Sequence, residues 1–303
     1  MLSPSTLSLL VVAAVFVSVF AAFAYYQSAA ADAPRLYRYG LTPRRTTVAS
    51  VLALSAAAVV AAVRLDTLAL GRRTVAVLAL WTLLLVASAN GVAGAAGFVR
   101  RWRAFHPASA VPTGAVSPGP VAVSGTATDD AVARAPVTGR DACCFVWRVT
   151  VEDPYVGTEM GETGDFREVA AGQGGSTFAL DDGSGPVRID PAGARLDLAG
   201  ERTVELPAGD ALPRPHTDAI SDVEFDHGDS VRRYTERVAG PGDSLAVAGE
   251  AVRRDGRVLV TDVIVTTGSL SLAAERYRAR ALLYGVAGLG GVLVALWGLL
   301  VTV

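Results

Sequence analysis

Lysine is absent from this chain of 303 residues, and cysteine and histidine nearly so. All 27 basic residues are arginine, the cysteines are Cys143 and Cys144, and the histidines are His106, His216 and His227. Without lysine there is no G-x-x-x-x-G-K-S/T phosphate loop. Five soft side chains fall short of the roughly eight ligands that a pair of four-coordinate zinc ions takes. A bond between the adjacent cysteines would need a strained vicinal ring, and in a strand the two point to opposite faces, so no disulfide framework is expected. That agrees with a reducing compartment.

Charge is missing from four long runs. Residues 7–26, 46–63, 74–99 and 281–303 contain no Asp, Glu, Arg or His. About 20 uncharged, mostly apolar residues span a bilayer as a helix, so four transmembrane helices are expected, the short Ala-rich second run being the weakest. They explain a hydrophobic content of 51% and a mean hydropathy of +0.39 in a chain that still carries 18% charged residues. The first run has a rival reading as a signal peptide, with Ala29, Ala30 and Ala31 as cleavage-site residues. It lacks a positive n-region and exceeds a typical apolar core of ~7–15 residues, so an uncleaved anchor is expected.

The arginines orient the spans. Arg35, Arg38, Arg44 and Arg45 fall in the first loop, Arg64, Arg72 and Arg73 in the second. Arg100, Arg101 and Arg103 precede the region between the third and fourth spans, and Arg276, Arg278 and Arg280 follow it. With the N-terminus outside, ten of these lie inside against three outside, which puts that region in the cytoplasm and the chain in the cell membrane as a multi-pass protein. The absence of charge within the spans also removes the usual signature of an ion or proton pathway.

Between residues 104 and 275 there are 27 Asp and Glu against 14 Arg, a net of −13 in a chain of net −2. This acidity argues against nucleic acid or anionic headgroups on the domain face and suits a salt-rich cytoplasm. Residues 107–120 are rich in Pro, Ala, Ser and Gly and read as a linker. Alternating runs follow at 121–124, 143–151, 177–180, 187–189, 196–198, 203–206, 231–238, 245–253 and 258–265, read as short strands with no convincing amphipathic helix. Asp181-Asp-Gly-Ser-Gly185 reads as one hairpin turn and Asp255-Gly256 as another. The long stretches 154–175 and 207–229 lack periodicity and read as functional or disordered loops.

No catalytic constellation stands out. Asp181-Asp-Gly-Ser-Gly185 lacks the twelfth-position glutamate of a calcium loop, where Ala192 stands. His216, Asp218, Glu224, Asp226, His227 and Asp229 form the His/carboxylate cluster, without H-x-x-x-H or H-E-x-x-H spacing, so a solvated loop is expected over a metal site. Gly172-Gln-Gly-Gly175 reads as a flexible loop, because no helix follows to bind an anion. Ser176 and Ser184 lie outside any G-x-S-x-G elbow. Cys143 and Cys144, beside Phe145 and Trp147, read as core residues. Catalytic, cofactor-binding and metal-ligating residues are accordingly assigned as none, and no cofactor is expected.

An ordered series of short segments carries a resemblance. Val121-Ala-Val-Ser-Gly125 is followed by Ala135-Pro-Val-Thr-Gly139 and Cys143-Cys-Phe-Val-Trp-Arg148. Then come Phe178-Ala-Leu-Asp-Asp-Gly-Ser-Gly185, the stretch 187–191 with Ala194, Tyr234-Thr-Glu236 and Pro241-Gly-Asp-Ser-Leu-Ala-Val-Ala-Gly249. Together they resemble the GIDE domain, a membrane-flanked module of mitochondrial RING-type ubiquitin ligases and of RING-less microbial proteins. The resemblance covers about half the chain. It implies a small β-barrel of OB-like type or a sandwich. In that pattern a glutamate stands at Glu236, where it would pair with Arg148 or Arg232 across strands.

The resulting organisation is a three-span membrane anchor (5–104), a linker (105–120), a GIDE-like β-domain (121–275) and a C-terminal transmembrane helix (276–303). Its expected role is a cytoplasmic protein-binding or scaffolding module, non-catalytic by itself, with a protein partner and no nucleic acid. The alternative is ubiquitin transfer of the E3 ligase kind, which would need a RING supplied by another chain. Small residues at Ala287, Gly291 and Ala295, at Gly91 and Ala95, and at Ala93 and Gly97, favour close helix packing, with room for a helix-mediated homo-oligomer, and Asn90 offers an interhelical hydrogen bond.

Overall fold

The computed structural model describes residues 41, 43–64, 72–106, 110–128, 133–152, 166–212, 218–227 and 229–302. The first expected span, at 7–26, lies outside these. The chain divides into two compact units, one formed by residues up to 101 together with 276–303, the other by 102–275.

In the helical unit, α1 (Pro43–Arg64), α2 (Arg72–Ala104) and α4 (Leu270–Thr302) share a core of Ala53, Ala57, Leu85, Ala295 and Leu299. Among the described residues, two stretches are long and apolar enough to cross a membrane, Val77–Ala104 and Leu270–Val301. The apolar part of α1, Arg45–Ala57, is shorter, so the described residues hold two of the four expected helices at spanning length. Asn90 makes its expected interhelical bond, donating from Nδ2 to Ser50 Oγ at 3.0 Å. Of the expected small-residue positions on α4, Gly291 lies against Ser88 and Ala295 is fully buried in the helical core, whereas the first is shifted by one residue. Ala287 is exposed, and Gly288 takes the contact position, where an added Cβ would come within 2.7 Å of Val92 N.

The second unit is built around a barrel. Strands β1 (Gly119–Thr128), β6 (Phe178–Asp181), β7 (Val187–Ile189), β11 (Ser244–Arg254) and β12 (Arg257–Thr267) pair in the ring β11-β1-β6-β7-β12, which closes through β12 back onto β11. Every pairing is antiparallel except β7 with β12. Of the two architectures expected, this is the barrel. Inward alternation fills its interior with Val121, Val123, Phe178, Leu180, Ile189, Leu245, Val247, Val260, Val263 and Val265. Each such side chain contributes on the order of 1.5–3 kcal/mol when fully buried.

Local chemistry places the bends. Asp255 and Gly256 both take positive φ, 51° and 76°, as a two-residue hairpin whose twist matches its strands requires. A bulge between Ala248 and Glu250 sets Gly249 against two residues of β12, one being Asp262 at φ 50°. The extra residue bends β12, which pairs with β7 at Leu259 and Val260 and with β8 (Arg195–Asp197) further along.

Two excursions from the ring build a second sheet, ordered β5-β4-β10-β9, from β4 (Cys144–Glu152), β5 (Phe166–Gly175), β9 (Arg202–Leu206) and β10 (Arg232–Ala239). One face carries Phe145, Trp147, Val149 and Tyr234. It is covered by Ile220 and Val223 of α3 (Asp218–His227) and by Ala135, Val137 and Ala142 from the hairpin of β2 (Ala133–Arg134) and β3 (Asp141–Ala142). Helix α3 corrects the expectation that 207–229 is loop and that no amphipathic helix exists. It lasts only ten residues, too short for a clear period.

Strand β5 corrects the reading of Gly172-Gln-Gly-Gly175 as a flexible loop. A Cβ on Gly172 would come within 2.8 Å of the Trp147 ring, and one on Gly174 within 2.7 Å of the Phe145 ring. The glycines are there because aromatic neighbours on β4 occupy the space that side chains would fill.

Candidate functional site

Glu236 is the most deeply placed acidic side chain among the described residues, 1% exposed. On β10 the residues Arg232, Tyr234 and Glu236 alternate toward the covered face, so the pleat carries this carboxylate inward beneath the β2–β3 hairpin. There Oε1 accepts the Val137 amide at 2.8 Å, and Oε2 accepts the Thr138 amide at 3.1 Å and the Thr138 hydroxyl at 2.5 Å. The expected pairing of Glu236 with Arg148 or Arg232 is therefore corrected. Arg148 lies on the opposite face, 3.4 Å from Glu201, which also pairs with Arg237. Arg232 donates to the Asp210 carbonyl. Strand pleating explains the difference, since Arg148 stands opposite Thr235 and not Glu236.

The outer face of the same sheet carries a charge lattice. Arg233 pairs with Glu205 at 3.0 Å and lies 3.9 Å above the Phe166 ring, beside the Arg148–Glu201–Arg237 group. Exposed pairs of this kind stabilise by about 0–1 kcal/mol, so their significance is for recognition and solubility.

Asp181-Asp-Gly-Ser-Gly185 forms the expected turn between β6 and β7. Asp181 Oδ1 accepts the Gly183 amide at 2.7 Å and the Gly185 amide at 3.3 Å. Asp182 turns the other way, toward the stretch expected as a linker. It accepts the Thr113 hydroxyl at 2.7 Å, the Thr113 amide at 3.2 Å and the Ser184 hydroxyl at 2.5 Å. Ser184 Oγ in turn accepts the Gly114 amide at 2.9 Å. Thr113 is 2% exposed, and Val111 donates to the Ala122 carbonyl at 3.0 Å, so residues 110–115 are docked on the barrel.

Beside this turn an open groove of about 580 Å³ is lined by Ser124, Thr126, Thr128, Asp181, Asp182 and Ser244, with Gly268 and Ser269 at its end. Hydroxyls and two carboxylates share its wall about equally with apolar surface. Such a surface suits a ligand that brings hydrogen-bond donors and positive charge, and it is more polar than the mostly apolar lining of small-molecule pockets.

Hydrogen bonds from Ser184 and then Thr113 hold the Asp182 carboxyl below the usual carboxylate range. A depressed pKa contributes stability that is present above the unfolded value, ~3.9, and is lost as pH falls through the folded one. Asp182→Asn is therefore expected to unfold more easily than the parent at neutral pH, with the gap closing only below about pH 4. Denaturant midpoints of the two chains measured from pH 7 to pH 2 check this. A gap that closes above pH 5 contradicts it.

The other candidates from the sequence are not brought together. Cys143 and Cys144 are buried in the barrel core, and burial, then the neighbouring Cys143 and Asp243, pushes the Cys144 thiol well above its ordinary range, the opposite of nucleophile activation. Their expected separation onto opposite faces does not occur, because pairing of β4 begins at Cys144 and Cys143 lies in the preceding bend. His216 lies outside the described residues. Asp218, Glu224, Asp226 and His227 fall on α3 and Asp229 follows it, and among the described residues no three His, Cys, Asp or Glu gather in a metal-binding group. Ser176 and Ser184 follow strand ends without a helix behind them.

No family model, no curated protein and no solved structure matches this chain.

Proposed function

We propose that this chain is a membrane-anchored recruiting module of the GIDE type. Its apolar helices, four with the runs at 7–26 and 46–63 included, fix it in the cell membrane, and its OB-type β-domain on the cytoplasmic side binds a segment of another protein without chemistry of its own. One observation carries the reading. The barrel interior is filled by its own side chains, while the neighbouring surface offers an open groove walled by Ser124, Thr126, Asp181, Asp182 and Ser244. A packed barrel leaves recognition to its outside, and a hydroxyl- and carboxylate-lined groove meets peptide amides and basic side chains.

The family part of the reading is supported by how the resembling segments meet. Pro136-Val-Thr-Gly139 and Tyr234-Thr-Glu236 are joined by the Glu236 hydrogen bonds, and Asp243 of Pro241-Gly-Asp243 accepts the Gly240 amide at 2.8 Å, closing the turn into β11.

The test is crosslinking in native membranes followed by mass spectrometry, comparing the parent chain with Thr126→Arg/Ser244→Arg. Both sites are exposed, but they face each other across β1 and β11, so the paired arginines are expected to cost the fold up to about 1 kcal/mol. Loss of a stoichiometric protein partner in the variant is the expected result. Undiminished capture removes the groove from the reading, and co-capture of a RING-bearing subunit moves it toward ubiquitin transfer.

A further inference from the structure

Asp182 serves two structures at once. In the turn between β6 and β7 it lines the open groove together with Asp181, Thr126 and Ser244, and it also holds the segment 110–116 through Thr113. Register builds the groove side. Thr126 on β1 stands opposite Asp181 on β6 and opposite Ser244 on β11, so the three residues form one row across the sheet. Asp181 accepts both of its turn amides on Oδ1, which keeps Oδ2 out of those bonds.

Asp182 is differently committed. Its Oδ1 accepts the Thr113 hydroxyl at 2.7 Å, the Ser184 hydroxyl at 2.5 Å and the Ser184 amide at 3.0 Å, while Oδ2 accepts the Thr113 amide at 3.2 Å. An ionised carboxylate offers about four acceptor positions, and these bonds fill them. A cation in the groove therefore meets Asp181 directly, but gains Asp182 only where Thr113 lets go. Around Thr113 the segment is held by the Val111 amide on the Ala122 carbonyl and by the Gly114 amide on Ser184 Oγ. Bonds this close to solvent open more readily than those of a strand ladder.

We infer that residues 110–116 are a strap that a basic side chain entering the groove displaces from Asp182, so that groove occupancy and strap docking oppose each other. The inference rests on the groove being the recognition site, as proposed above. By linkage, a ligand that loosens the strap binds more tightly to a chain whose strap is already loose. Release turns 110–116 from a docked segment into slack between α2 and β1, so partner binding frees the domain on its tether.

Gly114 supplies the test because it lies outside the groove. A Cβ there would fall 2.2 Å from the Ser184 carbonyl oxygen and 2.8 Å from its carbon, both backbone atoms, so Gly114→Ala lifts the strap without changing a groove residue. The full chain in phosphatidylcholine nanodiscs is titrated against a fluorescein-labelled peptide of alternating glycine and arginine, with anisotropy as the readout. Gly114→Ala is expected to bind about two- to fivefold more tightly than the parent, the worth of one further exposed charge contact. Thr113→Val, which keeps the shape and removes the hydroxyl, should move the same way by less, and it carries the comparison if Gly114→Ala does not fold. In the parent, saturating peptide should speed hydrogen exchange of the 111, 113 and 114 amides. Equal affinity in the parent and both variants, or slower exchange of these amides on binding, would overturn the strap. Thr126→Arg/Ser244→Arg separates the two levels. If it binds the peptide as well as the parent, the groove reading itself fails; if it loses the peptide while Gly114→Ala and Thr113→Val match the parent, only the strap fails.

Discussion

Glu236→Ala is expected to destabilise the β-domain by about 2–4 kcal/mol, because it strands the Val137 and Thr138 amides, each buried donor costing about 1–3 kcal/mol when left without an acceptor. The carboxylate joins β10 to a turn 98 and 99 residues earlier in the chain, so its loss frees the β2–β3 hairpin from the sheet it covers. Glu236→Gln keeps the shape and one good acceptor, and should cost about 1 kcal/mol. Arg148→Ala removes only a half-exposed pair with Glu201 and should cost less than about 1 kcal/mol. Guanidinium unfolding of the detergent-solubilised chain, followed by tryptophan fluorescence, ranks the three. Trp147 stands directly across from Glu236 in the β4–β10 pairing and reports on this sheet. If Arg148→Ala proved as damaging as Glu236→Ala, a cross-strand ion pair would be the better account of this glutamate.

That ranking also shows where the sequence was legible. Regular alternation and turn chemistry are local properties, and they located the strands of the ring, the Asp255-Gly256 hairpin and the turn at Asp181-Asp-Gly-Ser-Gly185. What escaped depends on neighbours distant in the chain. The glycines of β5 resemble a loop until Trp147 and Phe145 are seen against them. Helix α3 shows its amphipathic face only when the sheet beneath it is known. Glu236 was picked out as a charged position, but whether a strand residue faces Arg148 or the Val137 turn is decided by pleat and register. The Asp182 link to Thr113 lay hidden for the same reason, since composition alone reads Pro, Ala, Ser and Gly as linker. In the helices the small-residue period is legible at Gly291 and Ala295, while at the first position the neighbouring helix meets Gly288 and not Ala287, a choice that only the packing partner decides.

A cysteine pair at Ala95 and Gly285 is expected to form a disulfide between α2 and α4 in high yield. A Cβ built on Gly285 lies 3.7 Å from the Ala95 Cβ, close to the mean separation of about 3.8 Å in disulfides. The native thiols should not interfere, because Cys143 and Cys144 are buried and Cys144 holds its proton far above the usual range. The same chain tests what brings the helices together. At Gly288 an added Cβ would come within 2.9 Å of the Ser88 carbonyl and 2.7 Å of the Val92 amide nitrogen, both backbone atoms that cannot swing aside. Gly288→Leu in the cysteine-pair background therefore has to force the helices apart, an overpacking cost of about 1–3 kcal/mol or more, and should reduce crosslinking several-fold. Ala287→Leu, one residue away on the exposed side, should leave the yield unchanged. Oxidation in membranes followed by mobility on a non-reducing gel after cleavage between the helices measures both. Equal loss in the two leucine variants would mean that the apolar surface of α4 as a whole, and not the Gly288 contact, holds it to α2.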